Sequence, residues 1–314
     1  MLPNKIDWWC FPEGCKIWKG TEPPTHMDLN LKRFSASSPP SMASSIAAFD
    51  ACLNCTTSFM WWVIETTPDE YGAQATKTYG AVIRFYVPAP LEGNDGRHEC
   101  NTERFWLPMA ICMTTKLPII GTMEALLLRL CEKLSSRSIR QNFSAATSVV
   151  HRDMMDLILN FQCPVPGIMN CSIPFLYGDG DRLHISLSPS SGLPALPHGA
   201  SITSVCRLLG AEGLTALIAA VLTECKILIH SVDVANLALV AEVVTALIYP
   251  FQWRLPYIPV LPMSMIEFVE APLSYFLGVP SCNMKWIDKS ALSDVVVIDL
   301  DNGFSSHPSY FDGR

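Results

Sequence analysis

Apolar residues along this chain fall into two kinds of run. In the first third the runs are short, aromatic and β-branched: Ile6 to Trp9, Lys16 to Trp18, Ser58 to Thr66, Tyr79 to Val87 and Phe105 to Thr115. Bounded by Pro, Gly and Asp, such runs predict strands. Pro12-Glu13-Gly14 between the first two predicts a hairpin, and Thr67 to Gly72 a turn. Residues 20–45 and 88–102, rich in proline and small polar residues, predict exposed loops. After Pro118 the period changes. Leu126, Leu127, Leu130 and Leu134 recur at helical spacing, with Thr122 placed to cap a helix. Residues 135–148 are Ser- and Arg-rich and predict a linker, and His151 to Phe161 predicts another helix.

The second half alternates helix and strand. Thr203 to Leu209 and Glu212 to Thr223 predict helical segments broken at Gly210, and Lys226 to Ile229 a short strand. Ser231 or Asp233 then caps a helix from Val234 to Ile248 that is apolar on nearly every side, as a helix buried between layers must be. Pro250 ends it. Val295 to Ile298 is continuously β-branched, the pattern of an interior parallel strand. The expected fold class is α/β: an N-terminal lobe with an antiparallel sheet plus helices, then a lobe with a mainly parallel sheet. The expected division is 1–135, a linker at 136–155, and 156–314.

Composition narrows the function classes. Hydrophobic residues make up 49% of the 314 and charged residues 16%, which excludes a largely disordered chain. A net charge of −7 argues against nucleic-acid binding, which needs a basic stripe. The twelve cysteines are scattered and read as reduced thiols in a cytosolic protein. Cys10 with Cys15 and Cys52 with Cys55 have spacings a zinc site could use, but Cys10 lies in an apolar run where cysteine is a small buried hydrophobe. No metal or cofactor is expected. The start of the chain has no secretory h-region, so the Asn54, Asn142 and Asn170 acceptor triplets are read as chance matches. The apolar stretch from Val234 to Tyr249 is interrupted by Glu242 and shorter than the roughly 20 residues of a membrane span, so no transmembrane segment is expected.

Motifs for covalent chemistry are missing. The chain has no phosphate-binding G-x-x-x-x-G-K-[ST], no G-x-S-x-G elbow, no G-x-G-x-x-G and no H-E-x-x-H. Asp299-Leu-Asp301-Asn302-Gly303 opens like a calcium loop, but its twelfth position is Tyr310 rather than Glu, and a strand-end turn is expected. Asp179-Gly-Asp181 reads as a turn. His230, inside Lys226-Ile-Leu-Ile-His-Ser, reads as a satisfied sheet-end histidine.

An ordered set of motifs carries a family resemblance. Leu222-Thr-Glu224-Cys-Lys226-Ile-Leu-Ile-His-Ser231 precedes the apolar helix. Tyr249-Pro-Phe-Gln-Trp253-Arg-Leu-Pro256-Tyr257-Ile-Pro259-Val-Leu261-Pro262 and Ala271-Pro-Leu-Ser-Tyr-Phe276-Leu-Gly278-Val279 follow it. This order resembles the central segment of DENN domain proteins. Trp9-Cys10-Phe11-Pro12-Glu13-Gly14, Tyr79-Gly80 through Arg84-Phe85-Tyr86, and Trp106-Leu-Pro108 through Pro118 resemble the upstream DENN segment. The likeness covers nearly the whole chain and is weakest at 20–50 and 136–165. The family's downstream helical segment has no counterpart before Arg314.

The resemblance implies a longin-like first lobe and guanine nucleotide exchange on a Rab-family small GTPase. Exchange needs no bond-making machinery, only tighter binding of the nucleotide-free GTPase than of the GDP-bound one. It implies a cytoplasmic protein with recruitment to endosomal or vesicle membranes. The candidate partner-binding residues are Ser231, Asp233 and Asn236, which either line the open end of a strand or simply cap the helix. Gln252, Arg254 and Tyr257 either form an interface or pack at a sheet edge. Glu224 is read as pairing with a basic residue, and Trp106 and Pro108 as holding their strand. Two other readings stand: a non-catalytic GTPase-binding or scaffolding module, and a GTPase activator that would draw on Arg84 or Arg104, both expected on strand surfaces.

Overall fold

The first sheet is buried on both faces along residues 78–85, where every consecutive position is buried and β-branched and aromatic residues recur. In the computed structural model, which describes residues 5–22, 24, 58–66, 76–89, 104–135, 151, 152, 154, 155, 158, 159, 171–174, 182–185, 194, 196, 197 and 200–306, four strands form this sheet. They are β1 (Trp18–Gly20), β2 (Ser58–Thr66), β3 (Thr76–Pro88) and β4 (Arg104–Thr115). The order is β1-β4-β3-β2, antiparallel throughout, with Trp62 opposite Gly80 and Ile83 opposite Ile111.

One expectation fails at the amino end. Ile6–Cys10 is a short helix, α1, not the first strand of a hairpin, and β1 pairs with β4 instead. The reason is which side chains are buried. Trp9 and Cys10 are adjacent and both buried, and a strand would send neighbours to opposite faces. Trp9 packs its ring 5.9 Å from that of Trp62. Helix α2 (Ile120–Ser135) lies against β3 and β4. It begins two residues before the expected cap, and Thr122 is buried inside its first turn. The described residues between 151 and 159 are helical; most of the predicted linker, the exposed loops and Asp179-Gly-Asp181 lie outside the described residues.

Strands β5 (Cys171–Pro174) and β6 (Arg182–Ile185) make a separate antiparallel pair. The second large sheet uses β7 (Lys226–Ser231), β8 (Tyr257–Ile258), β9 (Phe276–Pro280), β10 (Val295–Asp299) and β11 (Gly303–Ser306) in the order β11-β10-β7-β9-β8. All are parallel except β11, so the expected α/β class holds. Helix α3 (Ile202–Leu222) breaks where expected, at Gly210, whose φ of 67° and ψ of 177° leave the helical region. Helix α4 (Val234–Leu247) is buried at every position from Val234 to Val244.

By length and composition alone, α3 could cross a membrane. Here, bent at Gly210, it packs against α4, β7 and β11 through residues such as Val205, Leu209 and Leu217. The two large sheets share one hydrophobic core. Trp9, Met60 and Trp62 of the first half belong to the same packed cluster as Val240, Tyr257 and Phe276 of the second. The joint is formed by β2 against α4 and β8.

Candidate functional site

The site residues expected from sequence surround α4, and the geometry divides them into three places. Fourteen residues at 1.5 Å each make α4 about 20 Å long. Ser231, Asp233 and Asn236 sit at its amino end, and Gln252 and Arg254 follow its carboxyl end. They do not form one cluster.

At the amino end Ser231 and Asp233 bond within the chain. Asp233 caps the helix, its carboxylate accepting from the Ala235 N–H at 3.1 Å. Ser231 is fully buried; its hydroxyl accepts from the Asp233 N–H and donates to Asp301 Oδ1, both at 3.1 Å. The other Asp301 oxygen accepts from the Val232 N–H at 2.7 Å. Asp301 comes from the β10–β11 turn, so the carboxyl end of β7 is closed by the chain itself. That turn is the expected strand-end turn, with Asp299 accepting from the Asp301 and Asn302 N–H groups. Asn236 is buried. His230 shares a 3.1 Å hydrogen bond between Nδ1 and the Ser281 hydroxyl. Burial pushes its pKa below the usual histidine range, against the opposing pull of Asp299 and Asp301.

The carboxyl end is open. Tyr249 and Phe251 are 51% and 67% exposed, and Gln252 and Arg254 are exposed beside them. The loop is held from below by Trp253, whose indole N–H donates to the Pro256 carbonyl at 3.3 Å and whose ring meets Phe276 edge-on. Arg254 donates to the Gln252 side-chain oxygen, which orients both groups on the outer face. Two exposed aromatic rings with an arginine and an amide, on a loop pinned by a tryptophan, have the composition of a protein-docking surface.

Tyr257 lies in the third place, the joint between the sheets. It is buried, and its hydroxyl donates to Glu242 Oε1 at 2.7 Å. Lys77 reaches the same oxygen at 2.8 Å, and the Tyr79 hydroxyl reaches Oε2 at 3.4 Å. Burial, then the Glu242 charge, raises the pKa of both phenols, so they remain donors. Beyond this node, the Pro12 carbonyl accepts from the Met263 N–H at 2.8 Å and from the buried Asn283 amide at 2.9 Å. The turn after α1 is thus fastened to the second half of the chain, in the segments that flank β9.

Arg84 is not on a strand surface. It is buried, paired with Glu13 at 2.6 Å, and its Nε donates to the Ser58 hydroxyl at 3.0 Å. It is committed to the first sheet and cannot extend toward a partner's nucleotide. The Arg104 side chain and Cys52 and Cys55 lie outside the described residues. Trp106 donates from its indole to the Gly20 carbonyl, holding β1 on β4. Glu224 is exposed, in the turn before β7, with a left-handed φ of 54°. Cys10 is buried as a small hydrophobe. The neighbouring Cys112 thiol lowers its pKa, while Cys10 and burial raise that of Cys112. Among the described residues no group of three His, Cys, Asp or Glu is placed to hold a metal ion.

The sequence reading did not assign roles to Glu242, Lys77 and Tyr79. One signal was visible: Glu242 is the lone charge in an otherwise apolar helix.

Comparison with known proteins matches the chain to a family. A family model described as the DENN (AEX-3) domain matches residues 106–303, from β4 through β10. DENN domain-containing protein 1B of Mus musculus is 30% identical over 118 residues, which is 38% of this chain and 15% of that protein. The chain therefore spans a small part of the length of that curated relative.

Proposed function

The chain belongs to the DENN domain family, and from that premise we propose that it is a guanine nucleotide exchange factor for a Rab-type small GTPase. The family is generally linked to the regulation of Rab GTPases. The observation that carries the reading is the exposed loop Tyr249 to Arg254, which lies within the family match and is composed for protein docking. Exchange is differential binding. A surface that engages the GTPase switch segments in the geometry they adopt without nucleotide raises the affinity for the empty state and lowers it for the GDP state. Exposed aromatic anchors supply contact area, and Arg254 and Gln252 supply direction. The first sheet and its helices form a longin-like lobe in this reading. The protein acts in the cytoplasm and reaches endosomal or vesicle membranes through its GTPase.

A panel of Rab GTPases loaded with a fluorescent GDP analogue tests this. Faster release from one or more supports exchange. No acceleration across the panel rejects it. Binding to a nucleotide-free GTPase with no change in release rate identifies a non-catalytic binding module instead.

A further inference from the structure

Helix α4 contains one charged residue, Glu242, and it is 4% exposed. An apolar residue there would continue the pattern of the helix and avoid the desolvation of a buried carboxylate. The carboxylate gathers three side chains instead. Lys77 and Tyr79 come from β3, two residues apart and so on one face of the strand, while Tyr257 comes from β8 of the other sheet. Lys77 also lies over the Tyr257 ring, 5.2 Å from its centre.

We infer that Glu242 is a positioning residue that fixes how the antiparallel sheet sits on the parallel one. The apolar contacts of β2 with α4 and β8 are non-directional and tolerate sliding. The carboxylate does not, because its two oxygens meet a lysine and two phenols from two sheets at once. A one-residue slip of β3 would send Lys77 and Tyr79 to the opposite face together. Glu242 therefore sets a single geometry for the joint. This inference goes beyond exchange activity and concerns the free protein.

Hydrogen–deuterium exchange on the free protein tests it in two variants. Glu242→Gln keeps size and shape but cannot accept from all three donors. Glu242→Leu with Lys77→Met, Tyr79→Phe and Tyr257→Phe makes the node apolar and leaves no buried hydroxyl without a partner, so global stability is retained while the directional contacts are lost. Both should raise amide exchange about tenfold in residues 60–64 and 78–82. Residues 227–230 and 295–298, in the heart of the parallel sheet, should stay protected. Unchanged exchange in 60–64 and 78–82, or an equal rise in both sheets, overturns the inference. No GTPase enters this experiment, so its outcome is independent of the exchange panel.

Discussion

Gly80 vacates the space that Trp62 fills. The two are cross-strand partners in β3 and β2, and a Cβ on Gly80 would lie 2.1 Å from the indole carbons Cε2 and Cζ2. Trp62 has no exposed surface, and Trp9 packs beside its ring. The indole has nowhere to retreat. The Tyr79-Gly80 pair therefore holds two constraints in adjacent residues: a phenol for the joint, then a bare backbone for the tryptophan.

Gly80→Ala should destabilise the protein by about 1–3 kcal/mol, the usual range for overpacking a rigid core. The preference of alanine over glycine in a strand offsets only part of this. Urea denaturation followed by tryptophan fluorescence measures it. A midpoint equal to that of the unmodified protein would mean the ring is free to move.

Gly278 faces a harder obstacle. A Cβ there would lie 1.9 Å from the Pro259 carbonyl oxygen and 2.8 Å from its carbon, both main chain, while the Gly278 carbonyl accepts from the Leu261 N–H at 2.7 Å. Backbone locked on both sides cannot yield as a side chain does. Gly278→Ala should cost more than Gly80→Ala, roughly 3 kcal/mol or more, with much of the protein recovered insoluble. Comparing the two variants by soluble yield and denaturation midpoint checks the ranking.

Arg84 gives a contrast between a surface and a buried arginine. Its partner Glu13 is mostly buried, and Glu13 Oε1 has no hydrogen-bond partner. Arg84→Met would leave that carboxylate uncompensated, at an expected loss of about 3–5 kcal/mol. An exposed arginine replaced the same way would change stability within about 0.5 kcal/mol. Adding Glu13→Gln should recover part of the loss, and a double-mutant cycle by chemical denaturation measures how much.

These residues show where sequence reading reaches and where it stops. Strands β2, β3, β4 and β10 were legible because each is a run rich in aromatic, β-branched or other apolar residues, set off by polar, Gly or Pro residues. Helix α4 was legible because it is apolar on nearly every side, and the break in α3 because glycine disfavours a helix interior. Helix α1 was not, because a five-residue segment with four apolar residues satisfies either period. Asp233 was legible as a cap because capping is local. Glu242 and Lys77 are 165 residues apart, and no local pattern joins them. Tyr257, two residues before Pro259 and three after Arg254, has the composition of an interface; burial at the joint depends on the first sheet, which its own segment does not reveal.

His230 predicts an acid-sensitive fold. Burial holds its folded pKa below the unfolded value of about 6.5. Above that value both states are neutral and the histidine adds no pH dependence. As pH falls below it, the unfolded chain takes up the proton first, and stability declines until the folded pKa is passed. Asp299 acts in the same direction lower down. Burial raises its pKa, but the Asn302 amide and the Asp301 and Asn302 N–H groups outweigh this, and the net shift is downward. Its contribution is lost as pH falls from the usual carboxylate range through the folded value. Unfolding free energy measured from pH 7.5 to 5, a range chosen to bracket the unfolded histidine value of about 6.5, should fall for the unmodified protein and less for His230→Asn. Equal slopes would assign the acid sensitivity elsewhere.

The open loop after α4 separates function from fold. Phe251 is 67% exposed and Arg254 bonds only outward, to Gln252, so neither supports the core. Phe251→Ala and Arg254→Glu should leave the unfolding free energy within about 0.5 kcal/mol of the parent. If this loop docks a GTPase, Phe251→Ala removes an aromatic anchor, and losses of about 2 kcal/mol are typical of such anchors. That is roughly a 30-fold drop in the apparent rate constant for GDP release at limiting exchange factor. Arg254→Glu reverses a charge at the rim and should act mainly on association, with an effect that shrinks as salt is raised. Trp253→Ala is the counter-example: it unpins the loop from Phe276 and should lower both stability and exchange. Unaltered exchange in Phe251→Ala and Arg254→Glu, with an active parent, would move the docking surface away from this loop while leaving exchange itself intact.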